Sequence, residues 1–290
     1  MKPTKGKTTG KPKVKSAAEA TTHTVTPEER YRMIAEAAYY IAERRVFTGG
    51  DVAADWLAAE AEIDRILQQE GRHEIERQVQ IALKETPSAV ADKVRAIALQ
   101  ALSGGELDIE AMKQVVSAVV AGAHQGAEHT AQGAQVLKEG MRGLDDALAL
   151  AVEATRLAFR KAVDRSSEFS WQVLKKTTDD LAALELLFIE TLADAAESAT
   201  GVTQATLRDL VEHACASGTA VGCRVRLALP EMTLAVTDSA REQSRNGTQT
   251  WHKDAALLAG LAAGMIKDIA ERLQSTPIDK SALPSTTKGG

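Results

Sequence analysis

The chain has 290 residues, of which 44% are hydrophobic and 26% charged. Fifty-one of them are Ala, whereas Phe, Trp and Tyr number only 4, 3 and 3 and Pro only 7. Ala-rich, aromatic-poor and proline-poor composition favours long solvated helices and excludes a sandwich, barrel or doubly wound sheet. The formal charge of −5 is unevenly placed: residues 1–20 carry Lys2, Lys5, Lys7, Lys11, Lys13 and Lys15 against one acid, Glu19. That arm suits an anionic surface or a weak nucleic-acid contact, while the acidic remainder repels polyanions.

Taken in chain order, residues 1–25 are Lys, Thr, Gly and Pro with little to bury, which predicts a disordered tail. Thr26-Pro27-Glu28-Glu29 is a helix start, with Thr26 as cap, Pro27 in the first turn and Glu29 completing a capping box. Met33, Ile34, Ala37, Ala38 and Ile41 give that helix one apolar face. Gly49-Gly50 should end it, and Asp51 should cap a second helix whose stripe is Trp56, Ala59, Ile63, Ile66 and Leu67. Residues 26–70 thus read as a small helical hairpin. Two connecting helices are expected over 71–102, one near 72–84 and one after Thr86-Pro87, with a break at Ser103-Gly104-Gly105.

From there no proline occurs until Pro230. Ile109, Met112, Val116, Val119 and Ala123 begin an apolar stripe; Leu137, Met141, Leu144, Leu148, Ala151, Thr155, Phe159 and Ala162 continue it at alternating four and three residues. Leu174, Leu181, Leu184, Phe188 and Ala195 follow. Such spacing packs helix on helix. Pro230 and Asn246-Gly247 are expected corners, with a last helix near 249–274 and a frayed tail over 276–290. The fold class expected is all-α: an elongated bundle of long amphipathic helices over 103–275, preceded by the hairpin and the basic tail.

Chemistry finds little footing. His124 and Glu128 share a helical face, but His129 sits about 140° from His124, so no metal pair forms and neither zinc-protease spacing is met. Glu70 with His73 is a single Glu-x-x-His pair, where a di-iron bundle needs two. Cys215, Cys223 and His213 lack a Cys-x-x-Cys anchor. On one helix over 203–229 the two Cys would lie about 12 Å apart, too far for a disulfide, so a reducing, cytoplasmic setting is expected. Gly6-Lys7-Thr8 lacks the first glycine of a phosphate loop, and Ser217 lacks the glycines of a nucleophile elbow. The neighbouring carboxylates Asp145-Asp146 and Asp179-Asp180 point about 100° apart and cannot flank one substrate. No catalytic residue, metal or cofactor is expected. The apolar run Ala255–Ile266 is too short to span a bilayer.

The informative signals concern packing. Gly122 precedes Gly126, Gly133 and Gly140, the last three at seven-residue intervals; Gly260 and Gly264 form a second small-residue stripe with Ala256. Each glycine inside a helix costs about 1 kcal/mol against Ala, so these positions suggest close helix packing, the alternatives being a weak, flexible Gly-rich helix for the first set and a face that adsorbs on an apolar surface for the second. Leu144, Leu148, Phe159, Leu181, Leu184 and Phe188 are the candidates for self-association or apolar-surface contact, and Trp171 and Trp251 fall outside the stripes.

The segment Arg30-Tyr31-Arg32-Met33-Ile34-Ala35-Glu36-Ala37-Ala38-Tyr39-Tyr40, followed by Asp55-Trp56-Leu57-Ala58-Ala59-Glu60-Ala61-Glu62-Ile63, resembles a short proteobacterial helical domain of unknown function. The region from Gly105 to about Leu273 is similar in texture to uncharacterised bacterial helical proteins and to phasins, which coat polyester storage granules; Ala-rich amphipathic helices, few Pro and a Lys-rich tail carry that likeness. It implies a non-enzymatic granule coat or organiser. The expected role is therefore a structural or interaction protein with a homo-oligomeric, helical-protein, granule or lipid partner, the alternative being a nucleoid- or RNA-associated protein that uses the Lys arm.

Overall fold

The computed structural model describes residues 25–84, 87–104, 108–164, 169–246 and 255–275. Among the described residues the chain is all-α, with no strand. Nine helices follow in order: α1 (Pro27–Arg44), α2 (Val52–Ala82), α3 (Pro87–Ser103), α4 (Ile109–Glu128), α5 (Gly133–Val163), α6 (Trp171–Ser198), α7 (Gly201–Ser217), α8 (Ala220–Asn246) and α9 (Ala255–Ser275). The chain divides into two compact units, Met1–Leu67 and Gln68–Gly290.

The first unit is a helical hairpin. The expected capping box is formed: Glu29 N–H donates to the Thr26 hydroxyl at 3.2 Å, and Thr26 N–H donates to the Glu29 carboxylate at 2.8 Å. Ile34, Ala59 and Ile63 are its only buried apolar cluster among the described residues, flanked by Met33, Ala37, Ala38, Ile41, Trp56, Ile66 and Leu67. Arg30 ties the helices, its guanidinium donating to both Asp64 oxygens and to Glu60, each at 2.8 Å. Asp51 caps α2 by accepting from Ala53 N–H at 2.9 Å. The end of α1 departs from expectation. It stops at Arg44, before Gly49-Gly50, because Arg45 turns inward, pairs with Asp55 and donates to the Gly49 carbonyl.

In the second unit, α5 is the central element, against which α3, α4, α7, α8 and α9 all pack. Fifteen of its residues are buried, among them Leu137, Leu144, Leu148, Ala151 and Phe159. α6 packs on α4, α7 and α8, burying Leu174, Leu181, Leu184, Phe188 and Leu192. Residues 71–102 contribute to this core, through Val79, Leu83, Val90, Val94 and Leu99.

Four expected breaks are placed differently. α2 runs on through Gly71, which is exposed and meets nothing, so the expected separate helix at 72–84 is its continuation. Its exposed i,i+3 and i,i+4 pairs Glu74–Arg77 and Arg72–Glu76 support that turn. Pro230 lies inside α8 rather than at a corner, since Val225, Ala228 and Met232 bury both sides of it. The helix expected over 203–229 breaks at Gly218, whose φ of +78° favours glycine. Gly133 does not continue a ladder inside one helix: α4 ends at Glu128, and a Cβ at Gly133 would lie 2.4 Å from the Ala127 carbonyl across the turn.

The glycines that permit close approach are Gly122, Gly126 and Gly143. A Cβ at Gly122 would lie 2.6 Å from the Glu76 carbonyl, one at Gly126 3.2 Å from the Gln80 Cα, and one at Gly143 2.3 Å from the Ala91 carbonyl. Gly140 has ordinary contacts with Leu83, Ala123 and Val90. Among the described residues nothing approaches Gly260 or Gly264, so the close packing expected there is not made by them. Gly143→Ala should therefore destabilise the second unit by about 1–3 kcal/mol through overpacking, whereas Gly260→Ala should be neutral or stabilising by up to about 1 kcal/mol. Urea unfolding of the two variants checks this; equal effects would contradict it.

Candidate functional site

Chemically suggestive side chains are held apart or paired locally. Among the described residues no three His, Cys, Asp or Glu side chains converge on a metal position. His124 Nε2 lies 3.2 Å from Glu128, while His129 Nδ1 lies 2.9 Å from the Gln125 carbonyl of its own turn. His73 lies beside Glu76 on the exposed side of α2. Cys215 and Cys223 are both exposed, on α7 and α8, and His213 is exposed on α7. Asp179 and Asp180 pair with Lys175 and Lys176 along α6.

Asp145 does something the sequence did not announce. Its two oxygens accept the backbone N–H groups of Ala220 and Val221 at 2.7 and 2.9 Å, so a carboxylate of α5 caps α8. Glu185 of α6 reaches the same helix start, accepting from the Thr219 hydroxyl at 3.0 Å and from Arg226 at 3.0 Å. A Cβ on Gly222 would collide with its carboxylate, which explains the glycine there. Burial pushes the Asp145 carboxyl above its ordinary range, against the two N–H groups that favour the charged form, with Asp146 and Glu185 adding to the rise.

The six stripe residues offered for self-association, Leu144, Leu148, Phe159, Leu181, Leu184 and Phe188, are all buried in the core of the second unit. Their apolar area is covered by neighbouring helices of the same chain, so they form no surface. Trp171 is half-buried and lines a groove of about 680 Å³ between α6 and α8, with Lys175, Val236, Ala240, Arg241 and Arg245. Trp251 and the six lysines Lys2, Lys5, Lys7, Lys11, Lys13 and Lys15 lie outside the described residues.

Among the described residues the exposed aromatic side chains all lie on the hairpin. Tyr31, Tyr39, Tyr40 and Phe47 are exposed by 63, 53, 52 and 59%, and Val46, Val52 and Leu57 are more exposed still. Tyr39 touches Tyr40 and Phe47, with ring centroids 5.7 and 5.5 Å apart. Tyr31 leans on Trp56 at 5.1 Å. Val46 and Phe47 both have positive φ, 57° and 55°, a conformation costly for a β-branched residue and an aromatic one. The Phe47 N–H donates to the Ala42 carbonyl at 3.0 Å, closing the last turn of α1. Periodicity missed this face, because its rings sit off the apolar stripe; the run Tyr39-Tyr40 before an isolated Phe was the available signal.

A family model described as a family of unknown function (DUF6781) matches residues 65–275. A second, described as a protein of unknown function (DUF2934), matches residues 29–65. No curated protein and no solved structure matches the chain. The join between the two models falls beside the boundary between the two compact units, at Leu67 and Gln68. No helix of the described residues is long and apolar enough to cross a membrane.

Asp145→Ala should cost the second unit about 1–2 kcal/mol, the range for losing a helix cap. Asp145→Asn keeps an acceptor and does not titrate. Burial makes the folded Asp145 carboxyl hold its proton more firmly than the unfolded one, so relative to a side chain that does not titrate its contribution is greatest below the unfolded value and diminishes as pH rises through the folded value. The stability difference should therefore move in favour of Asp145→Asn as pH rises above the ordinary carboxylate range. Denaturant titrations across that rise in pH check it; a difference that ignores pH would contradict it.

Proposed function

The chain belongs to the DUF6781 family, a family of unknown function, and from that premise we propose that it is a non-enzymatic interaction protein. It binds other helices through the outer face of its N-terminal hairpin. The observation that carries this reading is the exposed cluster of Tyr39, Tyr40 and Phe47 beside a corner with two non-glycine residues at positive φ. Exposed aromatics in mutual contact are the composition of binding hot spots. Backbone strain persists only where the surroundings hold it, and it collects at functional sites. The burial of the long stripes supports the same reading, since it removes them from contact and leaves the exposed rings of the hairpin available to a partner.

A second reading, a phasin-like coat on a granule or lipid surface, is favoured by a specific feature of α8. Cys223, Leu227, Pro230 and Leu234 are all exposed and spaced four, three and four residues apart, which places them in one row. That row is the apolar surface a coat would use in place of the buried stripes.

One experiment separates the two. A photoreactive side chain is placed at position 40, 227 or 113 of the full chain, the last being Lys113 on the exposed side of α4, and the cells of origin are illuminated. The interaction reading expects polypeptide adducts from position 40 and none from 113. Adducts with lipid or polyester from position 227 support the coat. Absence of any adduct at position 40 contradicts the leading proposal.

A further inference from the structure

The outer face of α1 carries more than rings. Arg32, Glu36, Tyr39 and Glu43 are exposed and spaced four, three and four residues apart, so they form one seam along the helix, with Tyr31 and Tyr40 on its two sides. Arg32, Glu36, Glu43 and Arg44 have no ion-pair partner among the described residues, whereas Arg30, on the inner side, is held by Asp64 and Glu60. A charged seam left unpaired between exposed rings calls for charges of opposite sign from outside.

We propose that those charges come from a second copy of this chain, with the two α1 helices antiparallel about a two-fold axis near residues 37 and 38. This rests on the interaction reading above and names its partner. In that register Arg32 meets Glu43 of the second copy, and the reciprocal pair forms on the other side of the axis. Glu36 meets the Tyr39 hydroxyl, which donates to it. A parallel, in-register pair would instead set Glu28, Arg32, Glu36 and Glu43 each against its own like charge. An isologous interface must be complementary to itself, and this seam is so in one direction only.

Area agrees. Four rings a little over half exposed, each of roughly 150–250 Å², offer about 400–500 Å². That is about half of the ~800 Å² per partner that a stable interface buries, and the stems of Arg32, Glu36, Glu43 and Arg44 add to it. The hairpin also has a reason to pair. Three buried apolar side chains are its whole described core, less than a unit of this size needs to be stable alone. Pairing two hairpins makes four helices around a shared contact.

Sedimentation equilibrium of the full-length chain at low salt tests the proposal, with far-UV circular dichroism to confirm that each variant stays helical. The wild type is a dimer. Arg32→Glu and Glu43→Arg each raise its Kd by about ten-fold or more, because each sets two pairs of like charges face to face. The double variant, with both charges exchanged, recovers a Kd within about three-fold of wild type, as expected when opposite charges again face each other. A monomeric wild type, a dimer indifferent to both reversals, or a double variant weaker than either single one overturns the proposal. If the chain is monomeric yet position 40 crosslinks to another polypeptide, the second copy is excluded and the interaction reading stands.

Discussion

The contact on which the bundle depends is the seating of α5 against the helices around it. Leu137, Leu144, Leu148 and Phe159 are fully enclosed, and each such side chain contributes about 1.5–3 kcal/mol by leaving water. Ala147, Ala151, Ala154, Ala158 and Ala162 fill the same face without bulk, which lets five helices reach one. Gly143 brings α5 onto the α3 backbone, and Gly122 and Gly126 bring α4 onto α2. Asp145 then fixes where α8 begins. An Ala-rich chain with few rings makes a core by close approach rather than by large side chains.

That economy decides where function can lie. A stripe enclosed within its own chain has no apolar area left for a granule or a second copy, so contact with a partner falls to what the fold leaves outward. On the hairpin these are rings and unpaired charges at the end of a helix closed by two residues at positive φ. On α8 they are a short row around Pro230. The join between the two family matches lies where the compact units divide, so each surface belongs to its own module. The proposed division of labour, one unit for stability and one for contact, follows from the unequal sizes of their cores.

Much of the fold was legible because it is written in local chemistry. Thr26 and Glu29 form their capping box, and Asp51 caps the next helix where it should. The stripe from Leu137 to Ala162 is one face of one helix. The failures share a cause: whether a glycine or proline breaks a helix is decided by what surrounds it. Gly71 and Pro230 sit within helices held by ion pairs or by buried neighbours, while Gly218, between Ser217 and Thr219, ends one. The partner of a stripe is equally a tertiary fact. Nothing in the spacing of Leu148 or Leu184 says whether the covering helix belongs to the same chain. Asp145 read as half of a solvated doublet, because the N–H donors it accepts from on α8 are about 75 residues away, and long-range caps leave no local pattern. The exposed rings were visible as residues, but a periodicity search looks for buried faces and passes over them.

In this molecule the long stripes are satisfied within one chain, and the proposed association belongs to the hairpin. Hydrogen exchange of the full-length protein, followed by mass spectrometry at low and high protein concentration, tests it most directly. Amides of α5 and α6 should be equally protected at both concentrations, while those of α1 gain protection as concentration rises. Protection of α5 and α6 that grows with concentration, with α1 unchanged, would contradict it.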